Sequence, residues 1–426
     1  MKSMKISETQ ASILASVSAS MFLWGIVASI GPLAASGSLV GRLPPYLKTF
    51  ILLLGPAAGL LGDSLFGFLS DRAGRKKIFA ATMMSYGLGL LVISASTYAD
   101  SFLGLAAGLA LAELGVEGEM APSLSLMTED FPISSRAFYL TLATDMSNLG
   151  ASFIAGLLLV SPSVSYAYII LGSGIGLLAV LTYARLKMPE SFRWLRQAGK
   201  SEEADSVREK LVLDQKEESI THPGYLIPMI SLVLMGLSQY LTYGLMAFII
   251  GPYEFPQSSF DQEIILYANL GATLGGILSA YLINLSSRRW FASLSFAGGL
   301  LTTLWILALS SNLSDPFVFF PLLFLNMIMS EFAWTARLVL EPESFPTKLR
   351  GTAIGAIRAF PIAAYDASIY LTSSFSVYQF VLFNLALWGL GLAGALLWLA
   401  KGFETKGISP DYAQRHRGAG TRRKEE

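Results

Sequence analysis

The segment EGEMAPSLSLMTEDFPISSR, residues 117–136, recurs in outline as EFAWTARLVLEPESFPTKLR, residues 331–350. Each copy opens on an acid, Glu117 or Glu331, and carries a second, Glu129 or Glu343, twelve positions later. Each then runs through Phe-Pro-x-x-x-Arg, ending at Arg136 or Arg350. The copies lie 214 positions apart in a chain of 426 residues, so the chain reads as two related halves. Acidic residues inside apolar segments of both halves give it the layout of a secondary transporter.

Hydrophobic residues make up 53% of the chain, charged residues 14%, and the mean hydropathy is +0.55. That is far more apolar surface than a soluble domain of this size needs to fill a core. Stretches of about 20 apolar residues fall at 12–36, 46–69, 78–97, 101–128, 136–160, 164–186, 225–251, 263–285, 290–311, 315–340, 350–374 and 377–400. The fold class expected is an all-α membrane protein with twelve transmembrane helices in two six-helix bundles. The first stretch is too long for a signal peptide, and Trp24 and Pro32 fit a spanning helix.

Charge fixes the orientation. Lys2, Lys5, Arg72, Arg75, Lys76, Lys77, Arg136, the cluster 185–216, Arg288, Arg289, Lys348, Arg350 and the basic run 401–424 all fall on one side, and only Arg42 and Lys48 on the other. The positive-inside bias then predicts a multi-pass protein of the cell membrane with both termini cytoplasmic. Zero formal net charge offers no argument for a nucleic-acid partner. There is no cysteine, and His222 and His416 are too far apart for a metal site.

The expected domains are an N-terminal bundle (1–187), a cytoplasmic linker with a short amphipathic helix near 201–213 (188–224), a C-terminal bundle (225–401) and a disordered tail (402–426).

The loop after the second stretch reads Gly67-x-x-x-Asp71-Arg72-x-Gly74-Arg75-Lys76. It resembles the loop 2–3 signature of the major facilitator superfamily, a charge cluster at the inner mouth that is made in one conformation and broken in the other. In the second half Asn284 takes the place of Asp71 and only Arg288 and Arg289 remain, so a weaker latch is expected there. Pro189-Glu-Ser-Phe-Arg-Trp-Leu195 and the run from Trp334 to Gly355 are similar to segments of the sugar porters and related metabolite:proton symporters. The resemblance implies a two-bundle fold and a cytoplasmic gate of Gly67, Asp71, Arg72, Gly74, Arg75, Glu129, Arg136, Glu343 and Arg350. It fails at the proton and sugar sites of that branch. The first stretch has no carboxylate, Leu109 stands where an Arg is usual, Thr144 replaces a sugar-binding Gln, and Gln239 with Tyr240 and Tyr243 echoes a Gln-rich segment only loosely.

Depth follows from a rise of about 1.5 Å per residue. Arg136 to Asp145 is about 14 Å, Arg350 to Arg358 about 12 Å, and each Glu117/Glu129 or Glu331/Glu343 interval about 18 Å, which places Glu117, Asp145, Glu331 and Arg358 near the midplane. A charge there costs roughly 2.5–3.5 kcal/mol unless it meets a partner or water, so these side chains are expected to face a cavity between the halves. Glu113 shares a helical face with Glu117, whereas Glu119 points about 200° away from it. The repeat argument favours Glu117. Glu119 matches an acid found on the fourth helix of many relatives, and both stay open. Asp63 and Asp366 are lesser candidates, each as fit for a packing or gating pair.

The expected substrate and proton site is therefore Glu113, Glu117, Glu119, Asp145, Gln239, Tyr243, Glu331, Trp334 and Arg358. No catalytic residue, metal or cofactor is expected, only a proton gradient as driving force. The reading is a monomeric, alternating-access, proton-coupled symporter for uptake of a small organic solute, cationic or zwitterionic, in a lipid bilayer. Proton-coupled efflux of organic cations, and a non-transporting sensor on the same fold, are the alternatives.

Overall fold

The computed structural model describes residues 5–35, 43–160, 174, 176, 178, 181–214, 224–255 and 258–409. Most of the sixth apolar stretch, Lys2, Arg42, Lys216, both histidines and the chain beyond 409 lie outside the described residues.

The described residues are helical throughout. The first half holds α1 (Glu8–Ala35), α2 (Pro45–Ala73), α3 (Arg75–Tyr98), α4 (Phe102–Gly118), α5 (Met120–Asp130) and α6 (Arg136–Val160). Residues 181–187 form a further helical segment. The linker contributes α7 (Phe192–Gln197) and α8 (Ser201–Arg208). The second half holds α9 (Leu226–Gly244), a π-helical turn (Leu245–Ile249), α10 (Ile250–Glu254), α11 (Ser258–Leu282), α12 (Arg288–Ala308), α13 (Pro316–Glu343), α14 (Arg350–Thr372) and α15 (Val377–Lys401). Nine helical segments among the described residues are long and apolar enough to cross a membrane.

The fourth and eleventh apolar stretches are not among these nine, and each has a local reason. The fourth is split between α4 and α5 at Glu119, because Pro122 has no N–H to give the Gly118 carbonyl and its ring crowds that turn. The eleventh, α14, is continuous but carries Arg358 and Asp366. Pro252 acts similarly at the seventh stretch. It frees the Phe248 carbonyl, and the helix widens into the π-turn over Leu245–Ile249.

Within the first half α1 packs on α6, and α4 on α2 and α3; within the second α11 and α12 pack on α13, and α15 on α9 and α12. The halves meet along two seams, α2 with α14 and α6 with α11. The repeat exchanges these seams, so the halves relate by a pseudo-two-fold. Small residues permit the approach. A Cβ on Gly67 would lie 2.8 Å from the Gly351 carbonyl oxygen across the first seam, and one on Gly276 would lie 2.2 Å from the Asp145 Cγ across the second.

Residues 402–409 correct the expected tail. Glu404 and Thr405 bond to the second half and Ile408 to the first, so this segment stays packed against the bundles. The linker helix α8 spans Ser201–Arg208, shorter than the expected 201–213.

Gly67→Val should wedge α2 from α14 at the charged end of the molecule. Ala121, fully buried, lies 3.3 Å from the position of a Gly67 Cβ. The chain has no cysteine of its own, so Ala121→Cys reports on that end. Its maleimide labelling should rise several-fold when Gly67→Val is added, and an unchanged rate would show that this contact does not hold the end shut.

Candidate functional site

The acids and arginines of the apolar segments meet partners at two junctions between the halves. At the first, Arg358 of α14 reaches across the seam to two acids of the first half. Its Nε donates to Asp63 Oδ2 at 2.9 Å, and its Nη2 donates to Glu117 Oε2 at 2.8 Å. Tyr240 of α9 donates its hydroxyl to the other Glu117 oxygen at 2.8 Å. All three charged side chains are buried to within 2%. With two acids on one cation, this cluster is a charge-balanced lock plus one extra carboxylate.

The second junction is the repeat-related counterpart, and its chemistry is different. Glu331 occupies the position equivalent to Glu117, but the helix facing it, α6, carries Thr144 at the position of Arg358 and Asp145 beside it. Asp145 and Glu331 are electrostatic neighbours flanking Gly275 and Gly276 of α11, with no ion pair to a cation among the described residues. Asn148 donates its amide to Asp145 Oδ1 at 2.9 Å and also engages Glu331. Glu331 Oε1 is buried without a hydrogen-bond partner among the described residues. The Tyr243 hydroxyl meets Asn148 Oδ1 at 3.1 Å and Asn269 Oδ1 at 2.6 Å, tying α9 to the same cluster.

Two small cavities lie beside these junctions. One, of about 40 Å³, is lined by Trp24, Thr144, Asn148, Gln239, Tyr240, Tyr243, Glu331, Trp334 and Arg358 among others. The other, of about 60 Å³, shares Trp24, Tyr240 and Tyr243 and adds Glu113, Glu117, Phe248 and Tyr365. Trp334 also stacks under two guanidinium groups, Arg337 at 5.3 Å and Arg358 at 5.6 Å. Gln239 accepts from Arg337 at 2.7 Å, and Arg337 bonds Glu341 at 2.8 Å.

Glu119 is placed elsewhere. It lines neither cavity, and it pairs with Arg185 and accepts from Thr82 at 2.8 Å within the first half. This corrects its inclusion in the expected site. Arg185 was counted with the linker charges, and its reach back to α5 could not be read from spacing. Arg358 meets carboxylate partners, Asp63 and Glu117 of the other half. Asp63, ranked low from sequence, proves to be one of its two anchors.

The charged end is closed by a second pair of clusters that the repeat relates almost atom for atom. Glu129 accepts from Arg75 of its own half at 2.8 Å and Arg350 of the other at 2.6 Å. Glu343 accepts from Arg136 of the other half at 2.8 Å and Arg288 of its own at 3.4 Å. Ser191 donates to Glu129 and Thr405 to Glu343, each at 2.5 Å. Glu190 receives the Arg75 and Lys76 amides at the start of α3, as Glu404 receives the Arg288 amide at the start of α12. Burial pushes the Glu190 carboxyl up from its ordinary range, and those amides and Arg75 draw it back.

Asp71 breaks the symmetry. It accepts from the Gly351 and Thr352 amides and the Thr352 hydroxyl at 2.8–3.1 Å, sitting as an anion on the N-terminus of α14. Asn284 holds no such place among the described contacts, and the second cluster, with its Arg288 contact at 3.4 Å, otherwise keeps the same composition. Arg72 is outside the network and lies over the Phe68 ring at 3.7 Å. Gly74, at φ 96°, has no room for a side chain beside Glu190, where a Cβ would fall 2.2 Å from the carboxylate. Arg136 also donates to the Ile408 carbonyl at 3.1 Å, so the segment after α15 bonds to the first half.

The sequence model of the Major Facilitator Superfamily matches residues 47–361. The chain belongs to the major facilitator superfamily. Its long apolar helices are those of a multi-pass membrane protein. Among curated relatives it is 28% identical over 246 residues to the minor myo-inositol transporter IolF of Bacillus subtilis, covering 53% of each chain. It is 28% identical over 172 residues to the arabinose-proton symporter of the same organism, covering 38% of this chain and 36% of that one. These matches therefore span about half or less of the relatives' length. Among solved structures it superposes on the proton:xylose symporter XylE of Escherichia coli with a TM-score of 0.74 at 16% identity, covering 94% of this chain and 97% of that one. The fold is the one the sequence resemblance implied.

Glu129→Gln leaves Arg75 and Arg350 on a neutral acceptor, and removing one member of a buried ion pair costs about 3–5 kcal/mol. Maleimide labelling of Ala121→Cys should rise at least tenfold. Glu343→Gln should do the same to a similar degree because its cluster has the same composition. A large effect of one and none of the other would show that one cluster alone holds the end shut.

Proposed function

We propose that the protein is a proton-coupled symporter that carries a small organic solute, cationic or zwitterionic, into the cell by alternating access. The charged end is its cytoplasmic face, both termini lie in the cytoplasm, and the protein acts as a monomer in the cell membrane. The observation that carries the proton reading is the pair Asp145 and Glu331, contributed by opposite halves and buried without a cation partner among the described residues. Two neighbouring carboxylates in a low-dielectric setting repel unless a proton neutralises one of them. A proton between them holds α6, α11 and α13 together; its loss drives them apart. Binding and release of the proton are thereby tied to the approach and separation of the halves.

Arg358 supplies the contrasting junction. Its charge is matched by Asp63 and Glu117 on the other half, so that seam is held without a titrating proton in the closed arrangement. The cytoplasmic clusters are shut and the cavities between the halves are small, as in an occluded intermediate. XylE and the arabinose relative are proton symporters, which supports the energetics. Their neutral sugars do not explain Glu113, Glu117, Asp63, Asp145 and Glu331 around one site with Arg358. That acid excess supports a positively charged solute.

A thermal-shift screen of amines, amino acids, sugars and carboxylic acids at two pH values identifies a solute for the decisive assay. In proteoliposomes, an inward proton gradient should drive its accumulation. Asp145→Asn and Glu331→Gln should each reduce that accumulation at least tenfold while gradient-free solute exchange persists. Full gradient-driven accumulation in either variant would remove that residue from coupling. Accumulation only under the opposite gradient would make the protein an exporter.

A further inference from the structure

Glu113 differs from the paired acids around it. Glu117 and Asp63 hold Arg358, Glu119 holds Arg185, and Asp145 has Asn148. Glu113 is 6% exposed, forms no hydrogen bond or ion pair with any described residue, and lines the larger cavity. Gly55 makes room for it, since a Cβ there would lie 3.1 Å from the Glu113 Oε1. The cavity wall holds five aromatic side chains, Trp24, Tyr240, Tyr243, Phe248 and Tyr365, among aliphatic ones such as Ile51, Leu52 and Leu109, and a second acid, Glu117, which is engaged by Arg358 and Tyr240. No Lys or Arg lines it among the described residues.

An unpaired carboxylate facing a ring-lined pocket is complementary to an organic cation. The carboxylate supplies the opposite charge, the negative faces of the rings supply cation–π attraction, and the apolar wall accommodates alkyl substituents on nitrogen. A metal ion would need several oxygen ligands, and no group of three candidate ligands stands close enough to hold one among the described residues. We propose that Glu113 with Trp24, Tyr240, Tyr243 and Tyr365 forms an ammonium subsite, which receives the charged nitrogen of the transported solute. The adjoining cavity shares three of those rings and takes the remainder of the molecule beside Gln239 and Asn148. This assignment rests on the reading that a small organic solute occupies the space between the halves. It adds the solute class, a substituted or quaternary ammonium, and the residue that selects it. Glu113 thereby discriminates solutes, while Asp145 and Glu331 handle the proton.

The test measures binding to the full chain in detergent by calorimetry at one pH, with no gradient, so it is independent of coupling. The probes are choline against its neutral isostere 3,3-dimethylbutan-1-ol, and N-methylpyridinium against nicotinate, an anion on a similar ring. Both cations should bind, and each counterpart should bind at least tenfold more weakly, as expected for loss of the charge and cation–π contributions. Glu113→Gln should weaken cation binding at least tenfold, and Glu113→Asp should restore part of it. Equal binding of the neutral isostere, tighter binding of nicotinate, unchanged affinity in Glu113→Gln, or no binding of either cation would overturn the assignment. The comparison between probes uses the unaltered protein, so it stands even if a Glu113 variant fails to fold. Loss of coupling in the proteoliposome assay would leave these binding results untouched.

Discussion

A charge buried in an apolar interior must be compensated where it stands, and in this protein that requirement is met across the boundary between the halves. Arg358 belongs to one half and its acids, Asp63 and Glu117, to the other. Removing either side would strand a charge in low dielectric, at a cost of several kcal/mol. The junction therefore specifies how the halves meet near their centre more sharply than apolar packing, which tolerates sliding. The clusters at the charged end apply the same rule, since Glu129 and Glu343 each hold one arginine from either half.

The repeated architecture presents the same junction twice, and the sequence fills it differently. On one side a cation faces Glu117; on the other an acid faces Glu331. One junction can close with its own charges, and the other closes only with help from outside the chain. In the proposed reading this asymmetry within a symmetric frame separates two cargoes, the proton at the acid pair and the solute beside Glu113 and the tyrosines. The break at Glu119 and the π-turn of Leu245–Ile249 adapt two of the helices that line this region, each next to a proline.

Much of the fold was legible because its signals are one-dimensional. Span length, the bias of Lys and Arg to one side, and the 214-position repeat need no knowledge of what touches what. The repeat also located Glu117, Glu331, Glu129, Glu343, Arg136 and Arg350. Partnerships were not legible, because they depend on rotation about helix axes and on which helices are neighbours. Glu119 and Arg185 are distant in sequence and meet only because α3, α5 and the helical segment 181–187 converge. Asp63 was one acid among several until α2 was laid against α14. Thr405 and Glu404 repeat Ser191 and Glu190 at the same 214-position interval, a signal that was present but hidden by the apparent polarity of the tail.

By itself the sequence determined that the chain lies in a membrane, that it has two homologous halves, and that acids sit at the depth of the bilayer centre. These follow from hydropathy, periodicity and rise per residue, which are properties of the chain. Tertiary structure decided which acids are neutralised by arginine, which face each other, and which one is left facing a cavity. Electrostatic energy in a low-dielectric interior depends on distances of a few ångströms between groups hundreds of residues apart, and only the packed helices set those distances.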